Sequence, residues 1–135
     1  MKKIKSTYTN AYCDFYSQLN YAIINKKTSF VIVYEQVRLN ITESFYKEGL
    51  ISKYSFIKKD NKNFLKIELK MFKGTYTINN IKLISTPSRL VPIGLKEIIL
   101  KKNYETFFLL TSKGFLFDKQ AIKENQGGFL LYSFN

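Results

Sequence analysis

Histidine is absent from this sequence, and with it the side chain that most often serves as general base, metal ligand or partner of a nucleophile. A single cysteine, Cys13, forms neither an internal disulfide nor a multi-thiolate metal site. It reads as a small buried hydrophobe rather than a reactive thiol. Tryptophan is missing, proline occurs twice and glycine six times, and the only arginines are Arg38 and Arg89. No apolar run approaches the ~20 residues that span a bilayer, so no membrane association is expected. Three lysines fall within Met1–Lys5, but no apolar stretch follows them and no secretory leader is expected. Internal repeats and low-complexity linkers are also lacking. These gaps point away from an enzyme: no catalytic residue, metal site or cofactor is expected.

What is abundant is lysine. Lys and Arg number 22 against 10 Asp and Glu, a formal net charge of +12. A surplus of that size favours a polyanionic partner, either nucleic acid or an anionic membrane surface, although a basic surface kept for solubility reads the same way. Hydrophobic residues make up 45% of the 135, enough to build a real core, with 12 Phe and 10 Tyr among them. Those rings fall mostly at core periodicity, so they read as packing rather than as stacking platforms for bases. The heavy use of Lys, Asn, Ile, Phe and Tyr resembles a product of an AT-rich genome, an organelle genome among the candidates. A chain made inside an organelle needs no import signal.

The apolar spacing divides the chain into elements. Residues 1–13 read as a basic tail. From Asp14, a plausible cap, Phe15, Leu19, Ala22 and Ile23 recur at helical spacing. Ser29 to Val33 is a β-branched strand. Tyr34, Val37, Ile41 and Phe45 form a second helical stripe, closed by Gly49 where a helix end favours positive φ. Ile51 to Ile57 reads as a strand, Lys58 to Lys62 as a turn centred on Asp60 and Asn61, and Leu65, Ile67 and Leu69 alternate as a half-buried strand. Thr75 to Ile84 is extended. Ser85 to Gly94 holds both prolines and reads as a loop or edge segment. Leu95 to Lys101 is a short helix, Phe107 to Leu110 a central strand and Phe115 to Phe117 another. Asp118 caps a helix over Lys119 to Asn125, and Phe129 to Phe134 is the final strand. The composition shifts near residues 71–79. The expected fold is α+β with two small subdomains. An N-terminal α/β unit over 14–74 runs helix-strand-helix-strand-strand, and a mainly β unit with short helices covers 75–135.

Four segments carry candidate function, each with a purely structural reading beside it. Thr111, Ser112, Lys113 and Gly114 form a small polar turn between apolar strands. Hydroxyls and free N–H groups there suit phosphate, ribose or base edges, and Lys113 suits a phosphate; the same four residues also make an ordinary hairpin turn with a solvated lysine. A Ser112 nucleophile assisted by Lys113 lacks any visible orienting group. Gly127 and Gly128 permit unusual backbone at the entry to the last strand, or a close approach to RNA. They are not a nucleotide-phosphate loop, because the lysine-hydroxyl pair and the strand-to-helix context are missing. Ser85, Pro87 and Arg89 lie on an extended polar piece whose arginine suits phosphate or guanine, or simply solvent. Lys53, Lys58, Lys59, Lys62, Lys66, Lys70 and Lys73 crowd the central strands against only Asp60 and Glu68, a strong bias on what is otherwise a solvated face.

The order of these motifs resembles the small-subunit ribosomal protein S8 family. Thr111-Ser112-Lys113-Gly114, the strand that follows, Asp118, a basic helix and Gly127-Gly128 before a terminal strand are similar to that family's C-terminal signature. Upstream, Ser85, Pro87 and Arg89 followed by Gly94-Leu95-Lys96-Glu97-Ile98 look like its S-x-P-G segment and next helix. Glu48-Gly49-Leu50-Ile51 looks like its E-G-F-I junction, and Asp14 opens a helix like its first. The resemblance covers residues 14 to 134. It implies a two-subdomain fold and a non-catalytic partner of the central domain of small-subunit rRNA, in contact with neighbouring ribosomal proteins and not a homo-oligomer. It carries rRNA binding onto Ser85, Pro87, Arg89, Lys96, Thr111, Ser112, Lys113, Gly114, Gly127 and Gly128. With the composition, it places the chain in the small ribosomal subunit of a mitochondrial matrix, with a plastid or the bacterial cytoplasm as the other settings. Departures from the family pattern stand at Leu110, where a serine is usual, at Ser88 for glycine, at Pro92 for tyrosine, and at Gln18 and Asn20 for basic residues. A non-ribosomal regulatory RNA-binding module is the alternative function, and sedimentation with the small subunit in high salt separates the two.

Overall fold

A computed structural model describes residues 6–78, 80–86, 88–101 and 104–134. The chain divides into two compact units between Thr77 and Ile78. The described residues combine four helices with sheets whose strand pairs are all antiparallel, so the α+β class is what the chain adopts.

The first unit runs α1 (Ser6–Ile24), β1 (Ser29–Val33), α2 (Gln36–Lys47), β2 (Ile51–Lys59) and β3 (Lys62–Leu69), then a short hairpin of β4 (Met71–Phe72) and β5 (Thr75–Tyr76). The three long strands pair antiparallel in the order β1-β3-β2. Alternation decides the faces: Leu65, Ile67 and Leu69 are buried, with Phe30, Ile32 and Ile51 buried on the neighbouring strands. The helices supply Ala11, Tyr12, Phe15, Leu19, Ala22, Ile41 and Phe45 to the core. Phe15 sits at its centre, 5.8 Å edge-on from Phe30 and 5.1 Å from Phe45.

Two boundaries differ from the sequence reading. Helix α1 begins at Ser6, so residues 6–13 are helix rather than tail, whereas Met1–Lys5 lie outside the described residues. The reason is the buried pair Ala11 and Tyr12, which extends the Phe15-Leu19-Ala22 stripe one turn upstream. The Ser/Thr/Asn-rich wording of that turn hides it. Tyr34 belongs to no helix; its backbone N–H donates to the Asn63 carbonyl, and α2 starts after Glu35. Two turns follow the expected chemistry, and a third, in a hairpin absent from the sequence reading, shares it. Gly49 closes α2 at φ 80 while Leu50 N–H returns to the Phe45 carbonyl. Asp60 and Asn61 both take positive φ in the two-residue β2–β3 turn, as do Lys73 and Gly74 between β4 and β5.

The second unit contains β6 (Ile81–Leu83), β7 (Pro92–Ile93), α3 (Leu95–Lys101), β8 (Thr106–Thr111), β9 (Gly114–Phe117), α4 (Asp118–Lys123) and β10 (Gly128–Phe134). Its sheet runs β6-β10-β8-β9, and β7 pairs with the opening of β10. Strand β8 lies inside the sheet, and Phe107, Phe108, Leu109 and Leu110 are all buried, as a continuous apolar run requires. Phe107, Leu109 and Leu130 form a core with Ile93, Ile98 and Ala121, so α3 and α4 cover that face. Phe108 anchors an aromatic cluster, 4.9 Å from Phe117, 5.3 Å from Tyr132 and 5.6 Å from Phe115. Leu110, a departure from the family pattern, is buried between Phe115 and Phe129 on the adjoining strands. Asp118 is the first residue of α4 rather than its cap. Its buried carboxylate accepts the Lys119 N–H at 2.8 Å.

Candidate nucleic-acid interface

The candidate interface gathers at one end of the second sheet. Strands β8 and β9 are joined by a tight turn in which Thr111 pairs with Gly114 and only Ser112 and Lys113 lie between. Neither central residue takes positive φ; Gly114 does, at φ 101. That is the pattern of a hairpin closed by a glycine after the turn. Thr111 locks it from inside: its hydroxyl donates to the Gly114 carbonyl at 2.9 Å and accepts the Lys113 N–H at 3.1 Å. The same turn leaves Ser112 and Lys113 exposed.

Helix α4 and the residues after it buttress this turn. The Ser112 hydroxyl donates to Gln126 Oε1 at 2.7 Å, and Lys113 Nζ donates to Glu124 Oε1 at 2.9 Å. Gln120 Nε2 donates to the other oxygen of Glu124 at 3.0 Å. The Lys113 hydrogen bond and charge hold the Glu124 carboxyl below the usual carboxylate range. Asn125, at φ 60, ends the helix and directs Gln126 N–H back to the Ala121 carbonyl.

Gly127 and Gly128 are explained by close backbone approach. A Cβ on Gly128 would overlap the Leu110 carbonyl, and one on Gly127 would come within 2.9 Å of the Ile93 carbonyl. The neighbours of those two positions include Thr111, Gly94 and the N of Leu95. The hairpin turn, the glycine pair and the start of α3, where Lys96 is exposed, therefore converge.

Two of the expected contact residues, Ser85 and Thr111, are buried. Ser85 is fully buried; its hydroxyl donates to the Leu130 carbonyl and accepts the Val91 N–H at 3.0 Å. Both bonds stay inside the protein, where the hydroxyl shapes the loop. Thr111 is likewise buried, and its hydroxyl is spent on the turn. Arg89 stays exposed on a tight loop in which Thr86 and Arg89 exchange backbone hydrogen bonds of 2.9 and 3.1 Å. That loop joins the sheet further along β10, beside Leu130 and Leu131. Pro87 lies outside the described residues. Sequence reasoning missed Glu124 and Gln126, which stand 11 and 14 residues from their partners and come into reach only through the hairpin and the α4 turn.

Elsewhere the chemistry is structural. Burial pushes the Cys13 thiol up, away from thiolate reactivity. Arg38 bridges Asp14 and Glu35 at 2.9 Å each and ties α2 to α1. Among the described residues, no group of three or more His, Cys, Asp or Glu side chains could hold a metal ion, and no helix is long and apolar enough to cross a membrane.

Residues 10–134 match the profile of the family described as Ribosomal protein S8. The small ribosomal subunit protein uS8 of Chlorobaculum tepidum is 35% identical over 129 residues, covering 92% of this chain and 95% of that protein. Its counterpart in Wolinella succinogenes is 34% identical over 122 residues, covering 89% and 93%. A third, from Bartonella bacilliformis, is 33% identical over 120 residues, covering 87% and 91%.

Proposed function

The chain belongs to the ribosomal protein S8 family, a structural and non-enzymatic family, and from that premise we propose that it binds the central domain of small-subunit rRNA and supports assembly of the subunit. The observation that carries the reading is the rigid turn that leaves Ser112 and Lys113 exposed while Thr111 holds its backbone from within. A fixed hydroxyl and a lysine suit the 2′-hydroxyls, base edges and phosphates of an irregular RNA helix. Lys96 and Arg89 add charge that neutralises further phosphates. Gly128 contributes by letting β10 close against Leu110 and Thr111, and Gly127 by admitting the Ile93 carbonyl and the start of α3. Residues 75–135 thus act as the rRNA-binding subdomain. The protein sits as a single copy among neighbouring ribosomal proteins.

The residue bias supports an organelle genome, and the mitochondrial small subunit is our reading of its location. The relatives named above are bacterial, so a bacterial ribosome is the competing setting. The direct experiment is sedimentation of tagged protein from its native source through a high-salt gradient. Co-migration with small subunits, in a mitochondrial fraction, is the expected result. Free protein at the top of the gradient would instead favour a non-ribosomal RNA-binding module.

A further inference from the structure

The two side chains offered to RNA are already occupied by the protein itself. Ser112 donates to Gln126, and Lys113 is paired with Glu124 at 2.9 Å with its side chain 53% exposed. Glu124 is itself steadied by Gln120, so the carboxylate is presented by two fixed contacts rather than by a swinging side chain. A carboxylate held at hydrogen-bond distance from a lysine ammonium stands where a phosphate oxygen would stand, with like charge and similar acceptor geometry. The Gln126 amide oxygen takes the Ser112 hydroxyl in the way a ribose or base acceptor would.

We propose that Glu124 is a specificity-determining residue, an internal competitor that holds Lys113 in reserve until RNA displaces it. The inference rests on Lys113 being an rRNA contact. RNA that places a phosphate well enough to replace the carboxylate gains the lysine. RNA that merely drifts past a basic surface does not, because it must give up an existing ion pair for a poorly placed new one. The pair therefore subtracts from generic attraction more than from cognate binding, which is discrimination by penalising the wrong partner. Gln126 does the same for the hydroxyl without charge.

A double-mutant cycle in the full-length protein tests this. The variants are Glu124→Gln, Lys113→Ala and the two combined. The probes are a transcript of the small-subunit rRNA central domain and a scrambled-sequence RNA duplex. Glu124→Gln should tighten the scrambled duplex by about two- to five-fold, the span that an exposed ion pair is worth, and the cognate transcript by less. Lys113→Ala should cost more affinity in the Glu124→Gln background than in the wild type. On the scrambled duplex, a salt titration should show the Glu124→Gln slope steeper by about 0.9, one additional phosphate neutralised, with the cognate slope little changed. If Lys113→Ala costs the same, or more, in the wild type, Glu124 is not a competitor, while the RNA contact stands. If Lys113→Ala costs nothing in either background, the RNA contact itself is overturned and the competitor with it. Glu97→Gln, on α3, controls for a general change of charge: an equal gain in affinity there would also overturn the proposal.

Discussion

The two units of this protein divide charge and recognition unequally. Residues 1–77 carry 14 basic against 6 acidic side chains, residues 78–135 carry 8 against 4, so +8 of the +12 lies on the first unit. Every contact proposed here lies on the second. Charge density alone would favour the other half. In the first unit, Lys58, Lys59 and Lys62 stand exposed around a hairpin turn. Charge of that kind attracts a polyanion without fixing its geometry. Lys113, by contrast, emerges from a turn locked by Thr111, set by Gly128 and answered by a carboxylate. Attraction needs charge; recognition needs donors whose positions the fold has already determined.

The glycines sharpen this contrast most. Gly128→Ala would drive a methyl into the Leu110 carbonyl. We expect a loss of about 3 kcal/mol, the upper end for forcing an extra group into a packed site, with rRNA binding lost alongside. Gly74→Ala in the first unit meets open space and suffers only its φ of 82. It should cost about 1 kcal/mol and leave binding intact. Denaturant titration of both variants checks the pair. Next in size, replacing Lys58, Lys59 and Lys62 by Gln should weaken cognate and scrambled RNA alike and leave their ratio unchanged. A changed ratio would give the first unit a share in recognition. Lys113→Ala should weaken the cognate transcript few-fold and flatten its salt dependence by about 0.9, read by filter binding across a salt series.

The smallest effect concerns pH. The Glu124 carboxyl is held down by Lys113, so its folded-state pKa lies below its unfolded one. The stability it lends is therefore fully present above the ordinary glutamate range and is lost as pH falls through the depressed value. Glu124→Gln should therefore remove that small contribution at neutral pH, leave stability in strong acid unchanged, and so flatten the acid limb slightly. An unaltered acid limb would mean that the pair does not persist in solution.

Much of the fold was legible because period alone decides it. The alternation of Leu65, Ile67 and Leu69 with lysines and glutamate, and the unbroken run Phe107 to Leu110, allow few structures other than the strands observed. The start of α1 was not legible, since Ser6 to Asn10 carries polar residues that favour helix ends as readily as interiors. The β4–β5 hairpin was missed because two-residue strands have no period to read. At the site, residue type identified the turn, but burial was hidden. Ser85 and Thr111 turned out to be buried, because a hydroxyl is written the same way whether it is exposed or bonds its own backbone. Glu124 and Gln126 were invisible for a different reason: only the folded path of α4 brings them to the hairpin.

The solitary cysteine makes one measurement decisive. In a Cys13→Ala background, Ser112→Cys can carry an iron chelate that generates hydroxyl radicals, and Lys59→Cys provides the same probe on the first unit. In reconstituted small subunits, the probe at position 112 should cut rRNA strongly and within a narrow stretch of the central domain. Cleavage there no stronger than from unlabelled protein, in subunits that have taken up the protein, would contradict the account.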